Sequence, residues 1–238
     1  MEWQGEGLLL SMRPHGESSA IIEVLTAGQG RHAGVVRGGA GRRMAAHLMP
    51  GNMLSLTWRA RLDDQLGAFT VEPLRARAAM LMQDPRALAA LSATCALIAR
   101  ALPEREPHPG LYAATLALLD ALETVPDWPV LYLHWELRLL ADIGFGLDLA
   151  QCAVSGANDG LAYVSPRTGR AVTASAAGDW ADRLLPLPAC LLRPGPPTPL
   201  ELAQGFRLTG HFLTRALAPD PDARPLPEAR TRLAGLIG

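Results

Sequence analysis

Residues 20–37 have the sequence Ala20-Ile-Ile-Glu-Val-Leu-Thr-Ala-Gly-Gln-Gly-Arg-His-Ala-Gly-Val-Val-Arg37. β-Branched residues fill both halves and the glycine-rich run Ala27–Gly30 separates them, so the segment predicts a β-hairpin. Further strands are predicted at Gly7–Met12, Met53–Arg61 and Ala68–Glu72, with a short helix at Arg43–Met49. Five strands with a helix after the third predict an OB-fold, a small Greek-key barrel that often binds oligonucleotides.

After residue 80 apolar residues recur every three or four positions instead of every two, which predicts helices. Asp84 is placed as an N-cap before Pro85, and Gly144 as the end of a helix that opens at Trp128. The other predicted helices cover Leu111–Leu122, Leu200–Leu217 and Pro227–Leu236. Turn residues and two short strands, Leu161–Val164 and Arg170–Thr173, predict a small β-hairpin insert at about residues 147–192.

These patterns predict an α+β multidomain chain. Residues 1–78 are expected to form a five-stranded OB-fold barrel, and residues 79–238 an all-α domain interrupted by the hairpin insert. Hydrophobic residues make up 49% and charged residues 19% of the 238 residues, which is enough apolar material for a sizeable core.

Charge is distributed unevenly along the chain, although the formal net charge is only −1. No Asp or Glu occurs in the 39 residues from Val24 to Leu62. Six arginines lie in this acid-free window: Arg31, Arg37, Arg42, Arg43, Arg59 and Arg61. Glycines at Gly38, Gly39 and Gly41 would let a phosphate approach backbone N–H groups. The window therefore predicts a surface that binds a phosphate backbone, and the alternative is a merely solvated basic surface.

Other chemistry is not favoured by the sequence. The Gly28–Gly34 cluster leads into a strand, whereas a dinucleotide motif leads into a helix. Trp58 could stack on a base, but its alternation with Leu54 and Leu56 favours the core. No catalytic motif proposes an enzyme.

The three cysteines do not form a disulfide framework, and no signal peptide or membrane-length apolar run is visible, so a reduced cytoplasmic protein is expected. Cys152 and Cys190 flank the hairpin insert, but a structural zinc usually needs four ligands in two closely spaced pairs. We therefore expect no metal and no cofactor.

Motifs spread along the chain resemble the RecO family of bacterial recombination mediators. In the first third they are Trp3-Gln-Gly-Glu-Gly7, His15-Gly-Glu-Ser18, Thr26-x-x-x-Gly30-Arg-His-x-Gly34, Val36-Arg-Gly-Gly39 and Pro50-Gly-Asn52. Further along they are Gly144-Phe-Gly-Leu-Asp148, Cys152-Ala-Val-Ser-Gly156, Val164-Ser-Pro-Arg-Thr-Gly-Arg-Ala-Val172 and Leu184-Leu-Pro-Leu-Pro188. Their joint order along nearly the whole chain carries the resemblance.

The resemblance implies an N-terminal OB-fold, a helical domain with a zinc-ribbon-like insert, and a non-enzymatic role in recombinational repair. It implies binding to single- and double-stranded DNA, partnership with RecR and with single-stranded-DNA-binding protein, recombinase loading at gaps, strand annealing, and a nucleoid-associated location. In some members four cysteines hold zinc; here Cys152 and Cys190 would be remnants of such a site.

The DNA candidates carried over are the six arginines of the acid-free window. Arg138, Arg207 and Arg215 are candidates for binding the acidic C-terminal tail of single-stranded-DNA-binding protein. The alternatives are an adaptor scaffold that binds no DNA, an RNA-binding OB-fold protein, and a metal-dependent hydrolase.

Overall fold

The computed structural model describes residues 1–62, 65–217 and 225–237. Two compact units are present: residues 1–123 with 227–230, and residues 124–226 with 231–238. The first unit continues past residue 78 because α3 (Pro85–Ala101) packs against the first β-strand. The division of function at residue 78 stays a prediction.

Five strands form the N-terminal sheet: β1 (Glu2–His15), β2 (Ser19–Thr26), β3 (Gly30–Val36), β4 (Met53–Arg59) and β5 (Ala68–Arg75). Their order is β1-β2-β3-β5-β4, and β1 also pairs with β4, so the sheet closes on itself. The predicted hairpin is confirmed, with Val24 opposite His32. β1 is longer than predicted because its first half pairs with β4 and its second half with β2. The alternation in that first half is weak since Gly5 and Gly7 lack side chains.

The core of the closed sheet is apolar and includes Trp58, which is 1% exposed. Burying one Leu or Val side chain is worth about 1.5–3 kcal/mol, so this cluster stabilises the unit strongly. The cluster comprises Leu9, Ala20, Ile22, Val24, Val36, Leu48, Leu54, Leu56, Trp58, Phe69 and Val71. The interpretation of Trp58 as a core residue is confirmed.

Two short helices border the sheet, α1 (Arg42–Ala45) and α2 (Arg77–Met80). α1 ends at Ala45, earlier than the predicted helix at Arg43–Met49, and a turn at residues 46–47 follows it. Asn52 follows and is 3% exposed. Its side chain donates to His47 O at 3.0 Å and accepts from Ala78 N at 3.2 Å, which ties the segment before β4 to the turn after α1 and to α2.

α3 and α4 (Pro109–Thr124) complete the first unit. Asp84 caps α3 as predicted, accepting from Arg86 N at 2.9 Å and Ala87 N at 3.0 Å. Cys95 Sγ lies 3.7 Å from Leu9 O, and burial raises the pKa of this thiol to about 12. The end of β5 is joined to α4 by ion pairs of Arg75 and Arg77 with Asp120 and Glu123.

The second unit contains the predicted hairpin and long helices. Its elements are α5 (Trp128–Asp142), β6 (Leu161–Val164), β7 (Ala171–Thr173), α6 (Ala174–Ala177), β8 (Leu185–Pro186) and α7 (Pro199–Leu217). The last helix of the chain, α8, covers Glu228–Ile237. α5 packs on α7 with Tyr132 stacked on Phe206, ring centroids 5.7 Å apart. β6 also pairs with β8, a two-residue strand too short to show a period in the sequence.

The predicted α+β chain with an N-terminal five-stranded sheet and C-terminal helices is thereby confirmed. The insert is a three-stranded sheet in the order β7-β6-β8. None of the helices within the described part of the chain is long and apolar enough to cross a membrane.

Replacing Asn52 by Ala leaves Ala78 N–H and His47 C=O without their side-chain partner in a buried site. We expect Asn52→Ala to lower the free energy of unfolding by about 1–3 kcal/mol in urea titrations. The exposed Gln83→Ala is the control and should change it by less than about 0.5 kcal/mol. Equal effects of the two substitutions would contradict this role of Asn52.

Candidate nucleic-acid interface

One concavity lies where β3 and β4 end and β5 begins. It has a volume of about 630 Å³, with Arg37, Arg59 and Arg61 among its lining residues. The pairing of the strands explains why they meet: Val36 is opposite Phe69, and Arg59 is opposite Ala68. The remaining lining residues are Val36, Met44, Ala60, Ala68, Phe69, Thr70 and Val71. Cationic side chains therefore surround an apolar floor.

A second concavity, of about 520 Å³, shares Met44 with the first. Arg42 and Arg43 of α1 line it, together with Gly38, Gly41, His47 and Pro73. Five of the six predicted arginines thus lie on two concavities joined at Met44, which we call the arginine surface. The sequence did not single out Met44, since only the folded position of α1 brings it between them.

Most guanidinium groups of the arginine surface have no hydrogen-bond or ion-pair partner among the residues that the structure describes. Arg37, Arg42, Arg43 and Arg61 are exposed, and no hydrogen bond or ion pair is recorded for their side chains within residues 1–62, 65–217 and 225–237. Arg59 is 66% exposed and contacts Glu2 at 2.8 Å. The hydrogen bond from Arg59 lowers the pKa of Glu2, so this carboxylate stays charged and competes with any anion for Arg59.

Arg31 occupies a different environment. Its side chain is 15% exposed and lies 3.3 Å from Glu23 and 3.7 Å from Glu104. Its Nε donates to Leu102 O at 2.8 Å. The guanidinium therefore fastens the segment after α3 to β3. These partners disfavour a contact between Arg31 and DNA, which stays a prediction.

The glycine loop does not offer its amides to a ligand in the way the sequence suggested. Gly39 N donates to Val36 O at 3.2 Å, Ala40 N to Ser18 O at 3.0 Å, and Gly41 N to Gly38 O at 3.1 Å. These bonds use the N–H groups to shape the loop. Anion binding on this surface is therefore left to the arginine side chains.

Aromatic residues of the closed sheet are directed inward. Trp58 stacks on Trp3 with ring centroids 6.2 Å apart, and its Nε1 donates to Leu66 O at 3.1 Å. Phe69 is 4% exposed. Because these rings pack against each other, they are not available as platforms for unpaired bases. Arg105, which lies far outside the acid-free window, places its guanidinium 5.9 Å from the Trp58 ring centroid.

The three candidate arginines of the second unit have different surroundings. Arg138 contacts Asp142 at 3.2 Å one turn along α5. Arg215 donates to Arg167 O at 3.1 Å and to Pro166 O, so it closes the turn after β6. Arg207 is exposed on α7, with no partner recorded among the residues that the structure describes. Arg138 and Arg215 therefore have partners within the protein, whereas none is recorded for Arg207 among the described residues.

An apolar groove of about 410 Å³, which the sequence analysis missed, also lies in the second unit. α5 and the segment after β8 form it, with Leu131 41% and Leu192 39% exposed. Its lining residues are Val125, Asp127, Val130, Leu131, His134, Cys190, Leu191, Leu192, Arg193, Pro194 and Gly195. Val130 and Leu131 fall outside the buried stripe of α5, which only the packing of the folded chain reveals. Arg138 follows His134 by one helical turn on the same face.

The insert was tested for a zinc site of the kind that the family resemblance implies. Cys152 is 2% exposed, and its sulfur accepts from Ser155 N at 3.5 Å and Thr173 N at 3.3 Å. Cys190 lies instead in the apolar groove, where burial raises its pKa. No cluster of three or more His, Cys, Asp or Glu side chains is placed to hold a metal in the described ranges. The donor set around Cys152 does not fit zinc, which prefers thiolate and imidazole ligands.

Comparison with known proteins covers both parts of the chain. The family model "Recombination protein O N terminal" matches residues 1–77, and "Recombination protein O C terminal" matches residues 82–225. A "DNA repair protein RecO" of Cereibacter sphaeroides is 61% identical over 237 residues, covering 100% of this chain and 98% of the relative. Proteins with the same description are 55% identical in a Ruegeria species and 54% identical in Dinoroseobacter shibae, with at least 98% of this chain covered.

The surroundings of Arg31 predict a structural role. We expect Arg31→Met to lower the free energy of unfolding by about 1–3 kcal/mol, because Leu102 O and two carboxylates lose their partner. Arg37→Met, which removes the same charge from an exposed position, should change it by less than about 0.5 kcal/mol in the same urea titration. A fully stable Arg31→Met protein would contradict the assignment.

Proposed function

This chain belongs to the RecO family of DNA repair proteins, and on that premise we propose that its arginine surface binds the phosphate backbone of DNA. The observation that carries the proposal is the gathering of five arginines on two joined concavities, four of them without a recorded partner in the described ranges. Guanidinium groups match phosphate geometry with paired donors. Neutralised phosphates release counterions, which gives affinity with little sequence preference.

The N-terminal unit has the strand order and the helix position of an OB-fold, and we propose that assignment for it. In this proposal residues 1–78 contact DNA and residues 79–238, with the insert at about 147–192, contact proteins. The inward aromatic residues favour contacts with the sugar-phosphate backbone over stacking on bases. A backbone-reading surface accepts single- and double-stranded DNA alike.

Strand annealing follows from the same surface. Two strands bound along neighbouring concavities would have their mutual repulsion screened by arginines, and because no base is held by an aromatic ring, they could shift register until they pair. We propose that the protein in this way mediates recombination at gaps together with RecR, without covalent chemistry. Its proposed location is the cytoplasm, in association with the nucleoid. A nuclease assay that detects cleavage would instead favour the hydrolase alternative.

The salt dependence of DNA binding tests the arginine surface. We expect Arg42→Ala with Arg43→Ala to weaken single-strand binding and to reduce the slope of log affinity against log salt by about 1.4 units, since each phosphate contact contributes about 0.7. Fluorescence anisotropy at several salt concentrations measures both quantities.

The matched control is Arg13→Ala with Arg86→Ala, which removes the same charge from exposed positions outside the arginine surface. Its slope should stay close to that of the unchanged protein. Equal slopes for all three proteins would remove the loop from the interface. Absence of salt-dependent binding altogether would favour the adaptor scaffold, and stronger competition by RNA than by DNA would favour the RNA-binding alternative.

For the acidic, apolar C-terminal tail of single-stranded-DNA-binding protein, we propose the apolar groove on α5 as the binding site. Its apolar wall can take the tail's side chains, and Arg193 supplies a positive partner for carboxylates. Arg138 extends this surface by one turn. Arg207 and Arg215 remain candidates from the sequence, although Arg215 is already bonded to backbone carbonyl groups.

A labelled tail peptide tests the groove. We expect Leu131→Asp to weaken peptide binding at least about tenfold, because it places a carboxylate in an apolar wall that faces an acidic ligand. Leu200→Asp is the control, since Leu200 is 67% exposed and does not line the groove. Similar affinities of both variants would place the tail elsewhere.

A further inference from the structure

Two turns of the insert share one hydrogen-bonding form. In the turn Cys152–Ser155, the side chain of the first residue accepts a hydrogen bond from the backbone amide of the fourth, with Ser155 N 3.5 Å from Cys152 Sγ. In Thr173–Ala176 the same relation holds, with Ala176 N 3.2 Å from Thr173 Oγ1. Both turns therefore offer two positions at a spacing of three, which is the ligand spacing of paired zinc ligands.

The two turns face each other. Cys152 Sγ lies 3.7 Å from Thr173 Oγ1 and accepts from Thr173 N at 3.3 Å. Gly156, directly after the first turn, has φ of 73°, which lets the chain reverse there. Val172 and Ala177 pack with Cys152 in the small core of the insert. The leading residues of the two turns are thus in contact and buried.

The geometry points to a metal-free replica of a four-ligand zinc site, with Cys152, Ser155, Thr173 and Ala176 at the ligand positions. Where such a site would join its two turns through an ion, here Ser155 N and Thr173 N both donate to Cys152 Sγ. Cys190, the second cysteine that the sequence offered as a remnant, is not part of this arrangement.

The chemistry of the four positions explains why hydrogen bonds replace the metal. Ser and Thr present neutral hydroxyl groups and Ala presents no donor, so a single sulfur remains and a zinc ion would lack ligands. The amides of Ser155 and Thr173 instead donate to the remaining sulfur, Cys152 Sγ, at 3.5 and 3.3 Å. The insert therefore keeps its fold independently of zinc.

Restoring thiols at the three altered positions tests the replica. We expect the full-length Ser155→Cys/Thr173→Cys/Ala176→Cys protein to bind about one Co²⁺ or Zn²⁺ per chain, with the visible absorption of a tetrahedral cobalt thiolate. The unaltered protein should hold no stoichiometric zinc in elemental analysis. Adding Cys190→Ser to the triple variant should leave metal binding unchanged, whereas adding Cys152→Ser should weaken it at least about tenfold.

Several results would overturn the inference. A triple variant with the circular dichroism of the unaltered protein that binds no metal would do so. Loss of metal binding on Cys190→Ser, or one chelator-resistant zinc in the unaltered protein, would also contradict it.

Hydrogen exchange provides the second measurement should the triple variant fail to fold. Cys152→Ala removes the acceptor shared by the two turns. We expect the Ser155 and Thr173 amides to exchange about tenfold faster in this variant and to be unchanged in Cys190→Ala. Unchanged protection in Cys152→Ala would refute the replica.

Discussion

Closure of the five-stranded sheet is the constraint on which the N-terminal unit depends. The ring closes where β3 and β5 run parallel, with Val35 opposite Ala68 and Val36 opposite Phe69. A parallel pair needs a long connection, and here α1 and β4 supply it. Because β3 and β4 both end beside the start of β5, the residues that leave them, Arg37, Arg59 and Arg61, come to one rim. The candidate site is therefore a consequence of how the sheet closes.

Closure also buries the aromatic residues of the sheet. Side chains of β4 alternate, so Leu54, Leu56 and Trp58 enter the core while Arg59 stays exposed. Trp58 and Phe69 are then buried in the core, and guanidinium groups lie on the outer face of this region. Guanidinium groups on such a surface recognise negative charge and carry no means of reading base identity.

The second unit differs in how it places polar and apolar groups. Its insert buries Cys152 Sγ, which accepts hydrogen bonds from the amides of Ser155 and Thr173. On α5, by contrast, apolar side chains stay outside the core, because Val130 and Leu131 line a groove. Apolar side chains left outside the buried stripe of a helix are a recognisable sign of a docking surface once the packing is known.

The sequence by itself determined the five strands of the N-terminal sheet, the Asp84 cap, the five longest helices and the acid-free arginine window, because these depend on local periodicity, capping and composition. It also identified the family through the order of its motifs. Only the tertiary structure decided that Arg31 is taken up by Leu102 O and Glu104, that the glycine-loop amides bond internally, and that Thr173 faces Cys152. These outcomes depend on partners distant in the chain, and the partner of a charged or polar group is fixed by closure of the sheet and packing of the insert, which no local pattern encodes.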